Sequence, residues 1–271
     1  MMYDPLDTLH IYRRYISISI RAQMQYRASF IMNALGHLII TGIEALGVCA
    51  LFGRFGHLGT WALPEVALFY GMVNIAFSIS DATSRGFDAF AGMVKNGDFD
   101  RLLLRPRSTV LQLAGQELTL RRVGRTTQGL IFFIWGLIAL HLTLSPAKVL
   151  LLIAAILGGT CLFYGLIIVQ ATTAFWTVES LELFNILTYG GVETAQYPIN
   201  IYQRWFQRFF IYVVPLACIN YFPMHAILNR PDPLGSPVLF QWFSPLLGVV
   251  FLLISLQVWK IGVRHYCSTG S

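Results

Sequence analysis

Residues 149–178, VLLLIAAILGGTCLFYGLIIVQATTAFWTV, contain no Asp, Glu, Lys or Arg. As a helix rising about 1.5 Å per residue the run is about 45 Å long, longer than the roughly 30 Å hydrocarbon core of a bilayer. The rest of the chain is built to match. Of its 271 residues 56% are hydrophobic and 12% charged, whereas a soluble domain carries about 25% charge. A soluble single domain does not fit this composition, and the chain reads as an all-α, polytopic membrane protein.

Outward from 149–178, apolar runs at 29–52, 63–85 and 126–144 precede it, and runs at 183–197 and 239–258 follow. Ahead of the first, the polar positions His10, Arg14, Ser17, Arg21 and Gln25 recur every three or four residues, with Leu9, Tyr12, Ile16 and Ile20 on the other side. Residues 5–27 are therefore expected to form an amphipathic helix lying in the membrane interface. These first residues lack the uninterrupted apolar core of a cleavable signal, so the mature chain is expected to start here. Pro198, Pro215 and Pro223 punctuate 198–230, which is expected to be external or re-entrant. If 205–228 crossed the membrane there would be seven spans instead of six. The basic residues discriminate between the two: six spans place 14 of them on one side, in the N-terminal helix, 85–125 and the C-terminal tail, and 5 on the other. Cytoplasmic loops carry the Lys/Arg excess, so six spans with both termini and 85–125 in the cytoplasm are expected. No internal repeat, low-complexity tract or second soluble domain is apparent.

The net charge of +6 does not point to nucleic acid, because the Arg clusters flank apolar runs, where they report topology. Cys49, Cys161, Cys218 and Cys267 have no metal-ligand or redox spacing and read as thiols, most of them in apolar segments. Catalytic spacings such as HExxH and GxSxG are missing, the six His are scattered, and Lys95, Lys148 and Lys260 lack the glycine pattern of a phosphate-cradling loop. The sequence therefore offers no catalytic residue, no metal site and no cofactor site, and no phosphate-cradling loop through which this chain would hydrolyse ATP.

Two polar stripes lie inside apolar helices. Asn33, His37, Thr41 and Glu44 step by four, four and three in the first span; Asn74, Ser78, Asp81, Arg85 and Asp88 step by four, three, four and three in the second. Placing Asn, Asp or Glu against lipid costs on the order of 2–3 kcal/mol or more, so both stripes should face protein or water. Interhelical hydrogen bonding and a substrate path are both open for Asn33, His37, Thr41 and Glu44. For the second stripe, with Asp81 and Arg85 spaced for an i,i+4 ion pair, helix-to-helix bonding is favoured, and Asn74, Ser78 and Asp81 stay candidates for the path.

The segment VKNGDFDRLLLRPRSTVLQL begins a short helix at Gly97 and Asp98 and stops before Pro106. Its charged Lys95, Asp98, Asp100, Arg101 and Arg105 surround Phe99, Leu102, Leu103 and Leu104. Three adjacent leucines between charges suit docking to a partner protein; an interfacial helix on lipid is the plainer alternative.

In order and spacing these features resemble the membrane permeases of ABC-2 type ABC transporters, in the branch of small six-span permeases that work with a separate ATPase. The resemblance rests on the interfacial helix, NGDFDRLLLRP, FWTVESLELFNIL, YPINIYQRWFQRFFIYVVPLACINYFP and the ending WKIGVRHYCSTGS, and covers essentially the whole chain. It implies one permease domain (1–271) with a cytoplasmic coupling helix at 95–107 and a broken or re-entrant element before the last span. It also implies two ABC ATPase subunits carrying ATP and Mg, a second permease, identical or paralogous, and a location in the bacterial cytoplasmic (inner) membrane. A transporter subunit, more in keeping with export than import, is the expected function; an ion-coupled carrier or channel is the alternative, and an intramembrane enzyme fits least.

Overall fold

The computed structural model describes residues 5–116, 119, 122–177 and 182–267, with the backbone alone at 5–13, 37, 182 and 183. Every regular element among the described residues is helical. Helix α1 (Pro5–Gln25) is separated from α2 (Arg27–Phe55) at Tyr26, whose φ of −112° and ψ of 66° interrupt the helix. After α3 (Leu63–Thr83) come four short helices, α4 (Arg85–Asp88), α5 (Phe90–Lys95), α6 (Phe99–Leu103) and α7 (Thr109–Gln116). Then follow α8 (Val123–Ala139), α9 (Pro146–Thr172) with its continuation α10 (Ala174–Thr177), and α11 (Glu182–Ala195). The Pro-punctuated stretch folds as α12 (Arg204–Arg208), a π-helical turn (Phe209–Val213), α13 (Leu216–Ile219) and α14 (Tyr221–Leu228). The chain closes with α15 (Val238–Phe243) and α16 (Leu246–His265).

Among the described residues four helices are long and apolar enough to cross a membrane: Arg27–Phe55, Leu63–Thr83, Pro146–Thr177 and Leu246–His265. The expected third and fifth spans form shorter helices. Helix α8 starts earlier than 126 and stops at Ala139, because Leu140 and His141, the latter at φ +46°, turn the chain back. Its 17 residues and the 14 of α11 reach about 26 and 21 Å, each less than a hydrocarbon core.

The break at Pro215 follows from chemistry: a ring with no N–H cannot extend the preceding helix. The two legs, Arg204–Val213 and Leu216–Leu228, meet at 71°. Trp205, Tyr212 and Val213 on the first leg are exposed, whereas Leu216, Cys218, Tyr221, Met224 and Ile227 on the second are fully buried. The second leg is thus enclosed by protein, which is the setting in which irregular backbone is tolerated in membrane proteins. Asn220 closes the junction, its Oδ1 accepting from the Tyr221 N–H at 2.6 Å and its Nδ2 donating to the Ala195 carbonyl at 2.5 Å.

Helix α3 lies at the centre, with Val66, Leu68, Phe69 and Phe77 at zero exposure. It gains that position through glycines. A Cβ on Gly71 would sit 2.7 Å from the Gly129 carbonyl oxygen and the Phe133 nitrogen of α8, so the two backbones touch, the small-residue contact by which membrane helices associate. Helices α9 and α16 meet the same way at Gly158 and Gly248, where a side chain on either glycine would strike backbone of the opposite helix.

These contacts predict opposite outcomes for two substitutions. Gly248→Ala should force α9 and α16 apart, at about 1–3 kcal/mol, and lower the thermal unfolding temperature of detergent-solubilised protein by several degrees. Gly92→Ala, where nothing lies within 4 Å, should leave that temperature unchanged or slightly raised.

Candidate functional site

The polar stripe of α3 faces α8, where the sequence VGRTTQG supplies its partners. Arg125 is 8% exposed. Its Nε donates to Asn74 Oδ1 at 2.6 Å, its Nη2 lies 3.5 Å from Glu193 Oε1 on α11, and its guanidinium stacks 5.0 Å from the centre of the Phe77 ring. Thr126 donates to Ser78 Oγ at 2.8 Å. Gln128 Nε2 donates to the Thr41 carbonyl at 2.6 Å and to the Tyr70 hydroxyl at 2.9 Å, joining α2, α3 and α8. One turn before Arg125, Arg122 makes a two-point ion pair with Asp81, through Nε to Oδ2 and through Nη2 to Oδ1 at 3.3 Å.

Asn74, Ser78 and Asp81 are therefore brought together, with Asp81 near one end of the seam. The expected Asp81–Arg85 pair does not form. Helix α3 ends at Thr83 and Ser84 takes φ −108° and ψ 7°, which breaks the i,i+4 register, so Arg85 pairs instead with Asp88 at 2.5 Å. The first stripe divides. Thr41 is buried, while Asn33 and Glu44 are exposed on α2, and the His37 side chain lies outside the described residues. Glu44 on α2 and Glu193 on α11 are both exposed acidic groups, and Glu193 has Arg125 behind it at 3.5 Å.

Arg122, Arg125, Gln128, Tyr70 and Glu193 were not among the site residues read from the sequence. The i,i+3 spacing of Arg125 and Gln128 carried the signal, but starting the third span at 126 assigned both arginines to a solvated loop. The structure corrects that: both are held in ion pairs against α3 and α11.

At the opposite end of the bundle from Glu65 and Arg230, α6 carries the expected docking segment. It is not uniformly exposed. Phe99 and Leu102 are buried, whereas Leu103 and Leu104 are 42% and 86% exposed, because a helix turns successive side chains by about 100°. The Phe99 ring stacks edge-on against Phe90 at 5.1 Å and Tyr266 at 5.0 Å, and Phe90 lies 4.8 Å from Trp259 of α16. Gln112 Nε2 bonds the Leu102 and Arg107 carbonyls at 3.1 and 3.0 Å, fixing the end of α6. Gly97, at φ +72°, permits the turn into it. The outer side presents Leu103, Leu104, Arg105 and Arg101, the last loosely paired with Asp98 at 3.7 Å.

The start of α3 is tied to the chain after α14. Arg230 pairs with buried Glu65 at 2.7 Å, and the other Glu65 oxygen accepts the Ala62 N–H at 2.8 Å. Trp61 donates to Asn200 Oδ1 at 3.0 Å, and the Tyr221 hydroxyl donates to Asp232 Oδ1 at 2.8 Å. Burial alone would raise the Asp232 carboxyl, but hydrogen bonds from Ser236, the Leu234 N–H and Tyr221 hold it below its ordinary value.

A double-mutant cycle tests the α3–α8 ion pair. Asp81→Asn should cost about 3 kcal/mol or more by leaving Arg122 uncompensated, and adding Arg122→Gln should restore part of that loss in thermal unfolding. Arg85→Gln, at a half-exposed pair, should cost less than about 1 kcal/mol.

The model of the ABC-2 family transporter proteins matches residues 38–270. No curated protein and no solved structure matches the chain. A protein of this family is a multi-pass membrane component of ABC transport and partners an ABC ATPase subunit, and with the family's model running through nearly the whole bundle, this chain belongs to the ABC-2 family of transporters.

Proposed function

We propose that this chain is a six-span permease subunit of an ATP-driven exporter in the bacterial inner membrane, with both termini and the segment between α3 and α8 in the cytoplasm. It forms the translocation pathway with a second permease, identical or paralogous, and two ATPase subunits holding ATP and Mg bind below. The observation that carries this reading is the two-sidedness of α6. Outward Leu103 and Leu104 offer apolar anchors within a rim of Arg101 and Arg105, the composition of a protein-binding patch. Inward Phe99 and Leu102 lock into rings from α5, α10 and α16. A push on α6 is therefore delivered to the ends of α9–α10 and α16, and the chain needs no ATP chemistry of its own.

The exposed acidic groups support the second permease. Glu44 and Glu193 lie open on the side of a bundle flanked by Ile40, Ile43 and Leu46, themselves exposed. Carboxylates at that depth face water or protein, and a second permease across this face supplies both. Asn33 and Glu44 then belong to the pathway side, and Thr41, Asn74, Ser78 and Asp81 to the seam behind it.

Two experiments follow. Leu103→Asp with Leu104→Asp should leave insertion and thermal unfolding intact and reduce ATPase co-purification and ATP-dependent transport by roughly tenfold or more, as expected when central apolar anchors are lost; unchanged binding and transport would place coupling elsewhere. Glu44→Gln should alter transport or substrate preference in vesicles while the complex still assembles.

A further inference from the structure

We propose that the groove between α7 and α16 is a binding site for an anionic phospholipid of the leaflet adjoining the Arg-rich segment. The groove is a cavity of about 1030 Å³. Its α16 wall is one helical stripe, Leu253, Leu256, Lys260 and Arg264, stepping by three, four and four. Such steps keep side chains on one face. The stripe is apolar at one end and cationic at the other, and from Leu253 to Arg264 it covers about 16 Å. Opposite, Arg107 adds a third basic group, and the floor is fixed by Trp259, whose Nε1 donates to Thr109 Oγ1 at 2.9 Å.

The charge on α16 is not spent within the protein. Among the described residues no carboxylate lines the groove, and neither Lys260 nor Arg264 has an acidic partner. Exposed Ser108 and Gln257 add neutral hydrogen-bonding groups beside the cations.

Depth selects the occupant. A soluble ATPase subunit reaches Arg264 but not Leu253, which lies about three turns further along a helix apolar enough to span the membrane and is 55% exposed. Only an amphiphile lying along α16 satisfies both ends: a phosphate against Lys260 and Arg264, and an acyl chain against Leu256 and Leu253. Basic pockets between membrane helices bind acidic headgroups in this manner. Because α7 lies immediately after α6 and Trp259 belongs to the ring cluster that holds α6, the lipid braces the element proposed to receive the ATPase.

The test uses the full chain reconstituted in bilayers of equal phosphatidylcholine and phosphatidylglycerol, returned to mild detergent and weighed by native mass spectrometry. Wild type should retain phosphatidylglycerol in preference to phosphatidylcholine. At about fivefold per basic residue, Lys260→Gln with Arg264→Gln should reduce that preference roughly 30-fold. Leu253→Trp, which fills the apolar end and leaves the charges, should also reduce retention. Arg204→Gln with Arg208→Gln, a basic pair elsewhere on the chain, should not.

Equal retention of the two lipids by wild type overturns the proposal whatever the variants do. So does undiminished phosphatidylglycerol on the Lys260, Arg264 variant. If glycerol phosphate, the headgroup without chains, displaces the lipid as well as phosphatidylglycerol does, the groove is an anion site and not a lipid site. Loss of the ATPase from the same variant with lipid retention unchanged would make the groove a protein contact.

Discussion

A guanidinium held inside a bundle of apolar helices has to find its solvation within the protein, since neither hydrocarbon nor a close-packed core can supply it. Arg125 is such a group, and its partners account for much of the arrangement around α3. Asn74 of α3 gives it a neutral acceptor, Phe77 of the same helix an aromatic face, and Glu193 of α11 a carboxylate. Two elements distant in sequence, α3 and α11, are thereby fixed to one charge at the start of α8. Arg122 does the same one turn earlier through Asp81, so α8 is held to α3 at two successive turns.

Those bonds require the backbones to be close. The contact of Gly71 with Gly129, and the burial of Gly136 against Pro64 and Leu68, let α8 lie directly on α3, and a bulkier pair would carry Arg125 out of range of Asn74. Small residues thus set the distance and the polar residues set the register. Without a hydrophobic drive between helices in lipid, this combination is what membrane bundles have to work with. The same economy holds α9 to α16 at Gly158 and Gly248, with the buried leg after Pro215 packed beside them.

On the Arg-rich side the constraint changes from charge to shape. Phe87, Phe90, Phe99, Phe175, Trp259 and Tyr266 form a nearly continuous edge-to-face stack, geometry that ring quadrupoles favour and that resists sliding. A short helix such as α6 has little stability alone; here it is rigid because Phe99 and Leu102 are set into that stack. Under the proposed function, that packing would let a partner seated on the two outward leucines act on α9–α10 and α16.

The sequence by itself determined the elements whose cause is local. An uncharged run such as 149–178 has only the helix as a way to satisfy its backbone in a membrane; Pro215 ends a helix wherever it stands; the period of Asn74, Ser78 and Asp81 puts them on one face. Membership of the ABC-2 family was legible in the order of such elements. Which residues those faces meet was decided only by the fold. Arg85 and Arg122 are alternative partners for Asp81; the sequence separation favours the former, and the break at Ser84 gives the latter. Leu102, Leu103 and Leu104 are equivalent as letters, yet the first is core and the others are surface, because α6 rolls onto the ring stack. Glu44 and Thr41 belong to one stripe, and the position of α8 buries one and leaves the other open. Periodicity fixes direction along a helix, while the choice of neighbour depends on contacts between segments tens of residues apart, which no local pattern encodes.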